Sequence, residues 1–167
     1  MRLIAVALLA AAWVAAPAHA QPTPSTAADA LMTALTGRWA GTGTILDQPA
    51  RAEMEWAPVL SGRFMRLTWV SHIGQAPKTQ RFEGIAYYQA TATGYRATWF
   101  DSSGMARPIE AERRDGAIIA TWGTLETELG ETTYRPDGRD AVEVVDRVRG
   151  KNGEWREFGR TTLRRVP

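Results

Sequence analysis

Hydrophobic and polar residues alternate along most of this chain, in short runs that turn residues separate. Successive strand side chains point to opposite faces of a sheet, so this period of two predicts strands with one face in a core. Ten strands without intervening helices predict an all-β domain, either an antiparallel sandwich or a barrel. The predicted strands are Arg38–Leu46, Ala50–Ala57, Arg63–Ile73, Thr79–Gln89, Gly94–Asp101, Met105–Arg113, Ala117–Trp122, Leu125–Arg135, Arg139–Arg149 and Glu154–Arg165.

Two carboxylates fall on predicted apolar faces. Alternation within Arg139–Arg149 places Asp146 on the valine side, and in the last strand it places Glu157 with Trp155 and Leu163. A carboxylate among apolar neighbours costs several kcal/mol unless it is paired. We therefore expect Asp146 and Glu157 to be either buried polar anchors or rim residues in water.

The N-terminal residues have the pattern of a secretory signal peptide. Arg2 precedes an unbroken apolar run over residues 3–14, and Ala18-His19-Ala20 offers a cleavage site. The run is shorter than the roughly 20 residues that span a bilayer, so no membrane span is predicted. Cleavage after Ala20 would give a periplasmic or secreted protein; an uncleaved anchor or a buried helix is the alternative.

The rest of the chain divides into two predicted parts. Residues 21–34 are expected to be a leader and a short helix, since Thr26-Ala-Ala-Asp29 has the form of a capping box. This helix is too short to be stable alone, so it is expected to lie across one end of the domain. Residues 35–167 are expected to form a single β domain.

Composition excludes several kinds of chemistry. The chain has no cysteine and two histidines, of which only His72 lies beyond the predicted signal peptide. Alternation places His72 on the outer face. A metal site, a haem site or a catalytic triad would need further ligands or partners beside this histidine, and the sequence supplies none. We predict no metal, no cofactor and no catalytic residue.

The distribution of charge excludes a further class of partner. The formal net charge is +2, and the arginines are scattered among acidic residues. No basic face results, so no nucleic-acid partner is predicted. The sequence carries no signal for an oligomeric state.

Two patterns with a superficial likeness to active sites have simpler explanations. Asp101-Ser102-Ser103-Gly104 places serines beside an acid, but it has the composition of an ordinary turn. Glutamates at alternating strand positions could hydrolyse a sugar. Outward-facing cross-strand pairs with arginine explain that pattern more simply, and we favour them.

Three motifs together resemble a known family. Gly37-Arg38-Trp39 provides a G-x-W at the first strand, and Leu60-Ser61-Gly62-Arg63-Phe64 is similar to an LGGRF-type turn. The segment Tyr95–Gly104 is similar to a Y-x-x-x-W-x-D-S-x-G hairpin. In this order they resemble the DUF1579 family of bacterial proteins of unknown function, over about Leu35–Arg165.

The resemblance implies a fold but no activity. It implies an antiparallel up-and-down barrel of the calycin or lipocalin-like type, with the short helix across one end. Calycins close one barrel end with the G-x-W tryptophan, over which a late arginine, here Arg164 or Arg165, would stack. Nitrobindin-like barrels bind haem through a late histidine, which this chain lacks.

The aromatic residues supply the candidate site. Such rings either fill a small barrel as packed core or line a cavity for one small ligand. The expected ligand is small and largely apolar, and polar side chains would orient it. The candidate ligand-binding residues are Trp69, Trp99, Trp122, Trp155, Tyr88, Arg66 and Glu157.

Two other functions remain open from the sequence, although the residues favour a binding protein over an enzyme. The first is an enzyme that uses a buried carboxylate or tyrosine within the barrel. The second is an envelope interaction or stress protein whose barrel is filled and whose outer face binds a partner.

Overall fold

The computed structural model describes residues 26–167, with side chains from residue 30 onward. The predicted signal peptide and residues 21–25 of the predicted leader lie outside the described residues. One helix and ten strands follow in chain order. They are α1 (Thr26–Leu35), β1 (Gly37–Ile45), β2 (Gln48–Val59), β3 (Phe64–Ile73), β4 (Gln80–Ala90), β5 (Gly94–Asp101), β6 (Ala106–Arg114), β7 (Ala117–Gly123), β8 (Leu129–Asp137), β9 (Ala141–Arg149) and β10 (Trp155–Val166).

The ten strands form a closed antiparallel barrel. Each strand pairs with the next along the chain, and β1 closes the ring by pairing with β10, from Arg38 opposite Val166 to Ile45 opposite Gly159. The predicted up-and-down barrel with a short helix across one end is therefore confirmed.

The largest difference between a predicted and an observed strand boundary is at β8, which begins at Leu129 rather than Leu125. Residues 124–128 form a turn there, in which the Thr127 amide donates to the Thr124 carbonyl at 3.3 Å.

One end of the barrel is closed by α1, Trp39 and Arg165. The buried Trp39 indole donates to the Leu35 carbonyl at 2.7 Å, which ties β1 to the helix. The Arg165 guanidinium lies 4.1 Å from the centre of the Trp39 ring. It also donates to the carbonyls of Thr36, Ala34 and Arg139 at 2.7, 3.1 and 3.1 Å. The expected stacking of a late arginine over this tryptophan is confirmed.

The alternation predicted for β3 is also confirmed. Leu67 and Trp69 are buried, and Met65 and Ile73 pack against the core, whereas His72 is exposed. Toward α1, Trp56 contacts Tyr88 and Tyr134, with ring centres 4.9 and 5.3 Å apart.

No helix within residues 26–167 has the length and apolarity needed to cross a membrane.

Arg165→Lys is expected to destabilise the protein by about 1–2 kcal/mol. Lysine keeps the charge, but it cannot stack its head group over Trp39 while donating to three separate carbonyls. Arg164→Lys, one residue earlier on the same exposed strand end, is the matched control. Urea unfolding followed by circular dichroism measures the difference. Equal unfolding midpoints for the two variants would show that the closure does not depend on the guanidinium.

Candidate functional site

A cavity of about 240 Å³ lies in the half of the barrel away from α1 and is partly open to solvent. Its lining includes Ile45, Ile73 and Asp101, which are the strand ends farthest from the helix. Most of the wall is apolar and aromatic, and polar groups are confined to two places. The first, the mouth, consists of Asp101, Ser103, Arg107 and Glu128. The second consists of Thr132, Tyr134 and Asp146 on β8 and β9, with Tyr88 and Ser71 on β4 and β3 across the barrel.

Two glycines allow large indole rings to line the cavity without filling it. A Cβ on Gly84 would lie 1.9 Å from Cζ2 of Trp99, and a Cβ on Gly130 would lie 2.0 Å from Cζ2 of Trp122. Both rings therefore lie against the backbone of a neighbouring strand, in space that any other residue would occupy. The cavity keeps its volume because these rings lie along the wall rather than across the lumen.

Both indole N–H groups on these rings have partners. Trp99 donates to Asp101 at 3.2 Å, and Trp122 donates to the Thr132 hydroxyl at 3.1 Å. These bonds fix the orientation of each ring, because a tryptophan has only one N–H to satisfy.

The mouth is organised around Asp101, whose side chain is only 1% exposed. The Arg107 guanidinium donates to it at 2.8 Å and also pairs with Glu128 at 3.3 Å, while lying 5.6 Å from the centre of the Trp122 ring. Asp101 further accepts from the Ser103 and Met105 amides at 3.0 and 3.3 Å and from the Ser103 hydroxyl. These hydrogen bonds confirm the turn that the sequence predicts at Asp101-Ser102-Ser103-Gly104.

The pKa of Asp101 is lowered. Burial alone would raise it, but hydrogen bonds from Ser103, Met105 and Trp99 together outweigh burial and favour the carboxylate. Asp101 is therefore ionised at neutral pH, and it neutralises Arg107.

Asp146 lies on the cavity wall in β9, opposite Thr132 of β8 and Gly159 of β10. Its carboxylate accepts a hydrogen bond from the Thr132 hydroxyl at 2.6 Å, which extends the bond from Trp122 to that hydroxyl. Burial raises the pKa of Asp146 to about 6, and the charge of Glu157 adds to the rise, while the Thr132 bond opposes it. Asp146 was one of the two carboxylates that alternation placed on an apolar face, and here it has a partner.

Tyr88 and Tyr134 approach Asp146 from β4 and β8. Burial raises the pKa of both phenols, and the charge of Asp146 raises it further. Both tyrosines are therefore neutral at physiological pH, and each hydroxyl can donate as well as accept a hydrogen bond.

Two buried hydroxyls on this wall lack a hydrogen bond of normal geometry: Ser71 Oγ and Tyr88 Oη. Ser71 is 0% and Tyr88 is 1% exposed, and both residues line the cavity. Tyr134 lies close enough to Tyr88 to influence its pKa, but it does not complete that bond. Unpaired buried polar groups cost about 1–3 kcal/mol each, so a ligand that hydrogen-bonds to these hydroxyls would gain affinity by removing that cost.

Four of the candidate residues from the sequence line the cavity: Trp69, Trp99, Trp122 and Tyr88. Arg66, Trp155 and Glu157 lie outside its lining. Arg66 points away from Leu67 and pairs with Glu55 on the outer surface at 2.9 Å.

Trp155 and Glu157 are displaced by an irregularity in β10. The register with β9 shifts between Glu157 and Gly159, so Phe158 is an extra residue in the strand. The prediction that Glu157, Trp155 and Leu163 share one face is wrong for this reason, since a bulge reverses the alternation beyond it. Glu157 pairs with Arg160 at 2.7 Å, Trp155 is 44% exposed, and Phe158 lines the cavity instead.

Several important residues were not predicted from the sequence. Ser71 could have been found, because alternation places it between Trp69 and Ile73 on the inner face. Asp101, Arg107 and Thr132 gave no such signal, because their roles depend on hydrogen bonds between different strands.

Within residues 26–167, no group of three or more histidine, cysteine, aspartate or glutamate residues is arranged to hold a metal ion. In comparisons with known proteins, no family model matches the chain, and no curated protein matches it. The geometry and chemistry of the cavity are therefore the basis for a functional proposal.

Asp146→Asn is expected to change how stability depends on pH. The pKa of Asp146 rises from 3.8 to about 6 on folding, so its contribution to stability is fully present below pH 4 and is lost as the pH rises through 6. Asparagine stays neutral and still accepts from Thr132. The variant should therefore match the wild type near pH 4 and exceed it by about 2 kcal/mol at pH 7.5.

Urea unfolding at pH 4, 6 and 7.5 measures this difference. The matched control is Asp137→Asn, an exposed aspartate at the α1 end of β8. A wild type that gains stability relative to Asp146→Asn as the pH rises would contradict the assignment.

Proposed function

We propose that this protein binds a small, largely apolar molecule inside its barrel. The observation that carries the proposal is the 240 Å³ cavity, lined by Trp69, Trp99 and Trp122, with the unpartnered hydroxyls of Ser71 and Tyr88 on its wall. An apolar wall with a few fixed polar groups is the usual form of a small-molecule site. The aromatic rings would supply affinity through burial, and the hydroxyls would orient the ligand.

The cavity volume limits the size of the ligand. An apolar cavity of about 150 Å³ in another protein is large enough to bind benzene. A 240 Å³ cavity therefore fits one aromatic ring, or an alkyl chain of similar bulk, with a short polar substituent.

Two parts of the proposal depend on the sequence alone. We propose export to the periplasm or the cell exterior, from the signal-peptide pattern of residues 1–20. We also propose membership of the DUF1579 family, from the three motifs between Leu35 and Gly104.

An enzyme acting within the same cavity is the second candidate. The raised pKa of Asp146, beside Thr132 and close to two tyrosines, is the kind of perturbation seen in acid–base catalysts. Turnover with a pH dependence that Asp146→Asn abolishes would favour this candidate. The cavity counts against the third possibility, a completely filled barrel with binding only on its outer face.

Ala120→Phe is expected to weaken ligand binding at least about tenfold, which is about 1.4 kcal/mol. Ala120 is buried and lines the cavity, so a phenyl ring there would occupy the space of the ligand. Thr121→Phe, one residue further along β7 and on the opposite face, is the matched control. Tryptophan fluorescence during titration with toluene, indole and 2-phenylethanol measures binding, and circular dichroism verifies that both variants fold.

The proposal predicts a saturable fluorescence change in the wild type and in Thr121→Phe. It fails if no compound in the panel gives such a change, or if Ala120→Phe binds as tightly as Thr121→Phe. Native mass spectrometry of the purified protein gives an independent measurement, because a retained ligand adds its mass to the chain.

A further inference from the structure

The charged groups that line the cavity are unbalanced. Among the described residues they are three carboxyl groups, of Asp101, Glu128 and Asp146, and one guanidinium, of Arg107. Both terminal nitrogens of Arg107 are already in ion pairs, with Asp101 and with Glu128. An anionic ligand would therefore find no uncommitted cation in this lining, whereas Asp146 has no cationic partner.

The hydrogen-bonding groups of the cavity wall also favour a cationic ligand, because they can accept hydrogen bonds from it. Asp146 accepts one hydrogen bond, from Thr132, and an ionised carboxylate can accept several. The hydroxyls of Ser71 and Tyr88 lack partners and can each accept a bond. Ser71 and Tyr88 lie on β3 and β4, and Asp146 lies on β9 across the barrel. A donor group inside the cavity would thus meet acceptors on opposite walls.

The aromatic lining also favours a positive charge. A cation near the face of a tryptophan or tyrosine is attracted to the ring, by about 0.5–2 kcal/mol, and the attraction is largest for tryptophan. Trp69, Trp99 and Trp122 all line the cavity. An ammonium group has three N–H donors and no acceptor, which matches a wall that offers acceptors.

We propose that the ligand is a small organic amine, bound as its ammonium ion with the charge at Asp146 and the Tyr88 hydroxyl and the apolar body against the tryptophans. This inference rests on the proposed function and names the ligand class for the same cavity. Burying a charge is costly unless it is paired and hydrogen-bonded, and Asp146 with the Tyr88 hydroxyl provides both. A carboxylate ligand would instead add a negative charge beside Asp146.

The affinity for an ammonium ion should depend on pH, because it depends on the ionisation of Asp146. The groups that face Asp146 are Thr132 and Tyr134 on β8, Tyr88 on β4, and Glu157 on β10, whose charge acts on it. Glu157 is itself paired with Arg160. Asp146 becomes neutral below about pH 6, so the attraction for an ammonium ion should weaken there.

The experiment compares three probes that share a phenyl ring and differ in charge: 2-phenylethylamine, 2-phenylethanol and phenylacetate. Each is titrated by isothermal calorimetry into the full chain at pH 7.5, 6 and 5. We expect the amine to bind at least about tenfold more tightly than the alcohol at pH 7.5, and phenylacetate to bind most weakly. Affinity for the amine should fall at least threefold between pH 7.5 and 5, while affinity for the alcohol stays constant, because an alkylamine remains charged throughout this range.

Asp146→Asn provides the second arm of the test. This isosteric change should reduce the affinity for the amine to that for the alcohol and abolish the pH dependence, while leaving the affinity for the alcohol unchanged. Asp137→Asn, exposed and far from the cavity, should behave as the wild type. The wild-type pH series tests the same charge without any substitution.

The outcomes separate the two proposals. The amine inference is overturned, and the proposed function is retained, if the alcohol or phenylacetate binds as tightly as the amine. The same holds if the preference for the amine persists in Asp146→Asn. Both proposals are overturned if none of the three probes binds.

Discussion

The pairing of β1 with β10 is the constraint on which the rest of the structure depends. These strands come from opposite ends of the described chain, and their hydrogen bonds convert a sheet with two open edges into a ring with none. Closure fixes the positions of all ten strands relative to each other. Side chains on strands far apart in sequence, such as Tyr88 and Asp146, can then face the same space. The cost is entropic, since the ends of a long chain must meet, and α1 with Trp39 and Arg165 reinforces the junction.

The interior of the barrel has two halves with different physical roles. Toward α1, Trp56, Tyr88 and Tyr134 pack closely and contribute stability. Away from α1, the cavity has features that cost stability: a volume that no side chain fills, the unpartnered Ser71 hydroxyl and a carboxyl group with a raised pKa. A protein selected for stability alone would have filled this half with aliphatic side chains. The same groups are the ones that a ligand would satisfy.

The sequence predicts the fold more completely than it predicts the site. Alternation is a local property, and it correctly predicted ten strands and the inner face of β3. It also identified Asp146 as an unusual carboxylate. It failed in β10, because no local signal marked Phe158 as an extra residue and every assignment before it in the strand was reversed. The network of Asp101, Arg107 and Glu128 joins β5, β6 and the turn before β8, so it depends on strand neighbours and register that composition does not reveal.

The bulge at Phe158 also has an evolutionary consequence. In a strand, the face that a side chain occupies depends on whether its position is odd or even relative to a reference residue. Removing Phe158 would leave Glu157 opposite Arg147 on the outer face, because the deletion cancels the shift in alternation that the extra residue introduces. The cavity would lose the Phe158 ring from its lining, while the other residues of β10 would keep their faces. A bulge of this kind therefore lets a change in chain length remove one side chain from the cavity without disturbing its neighbours.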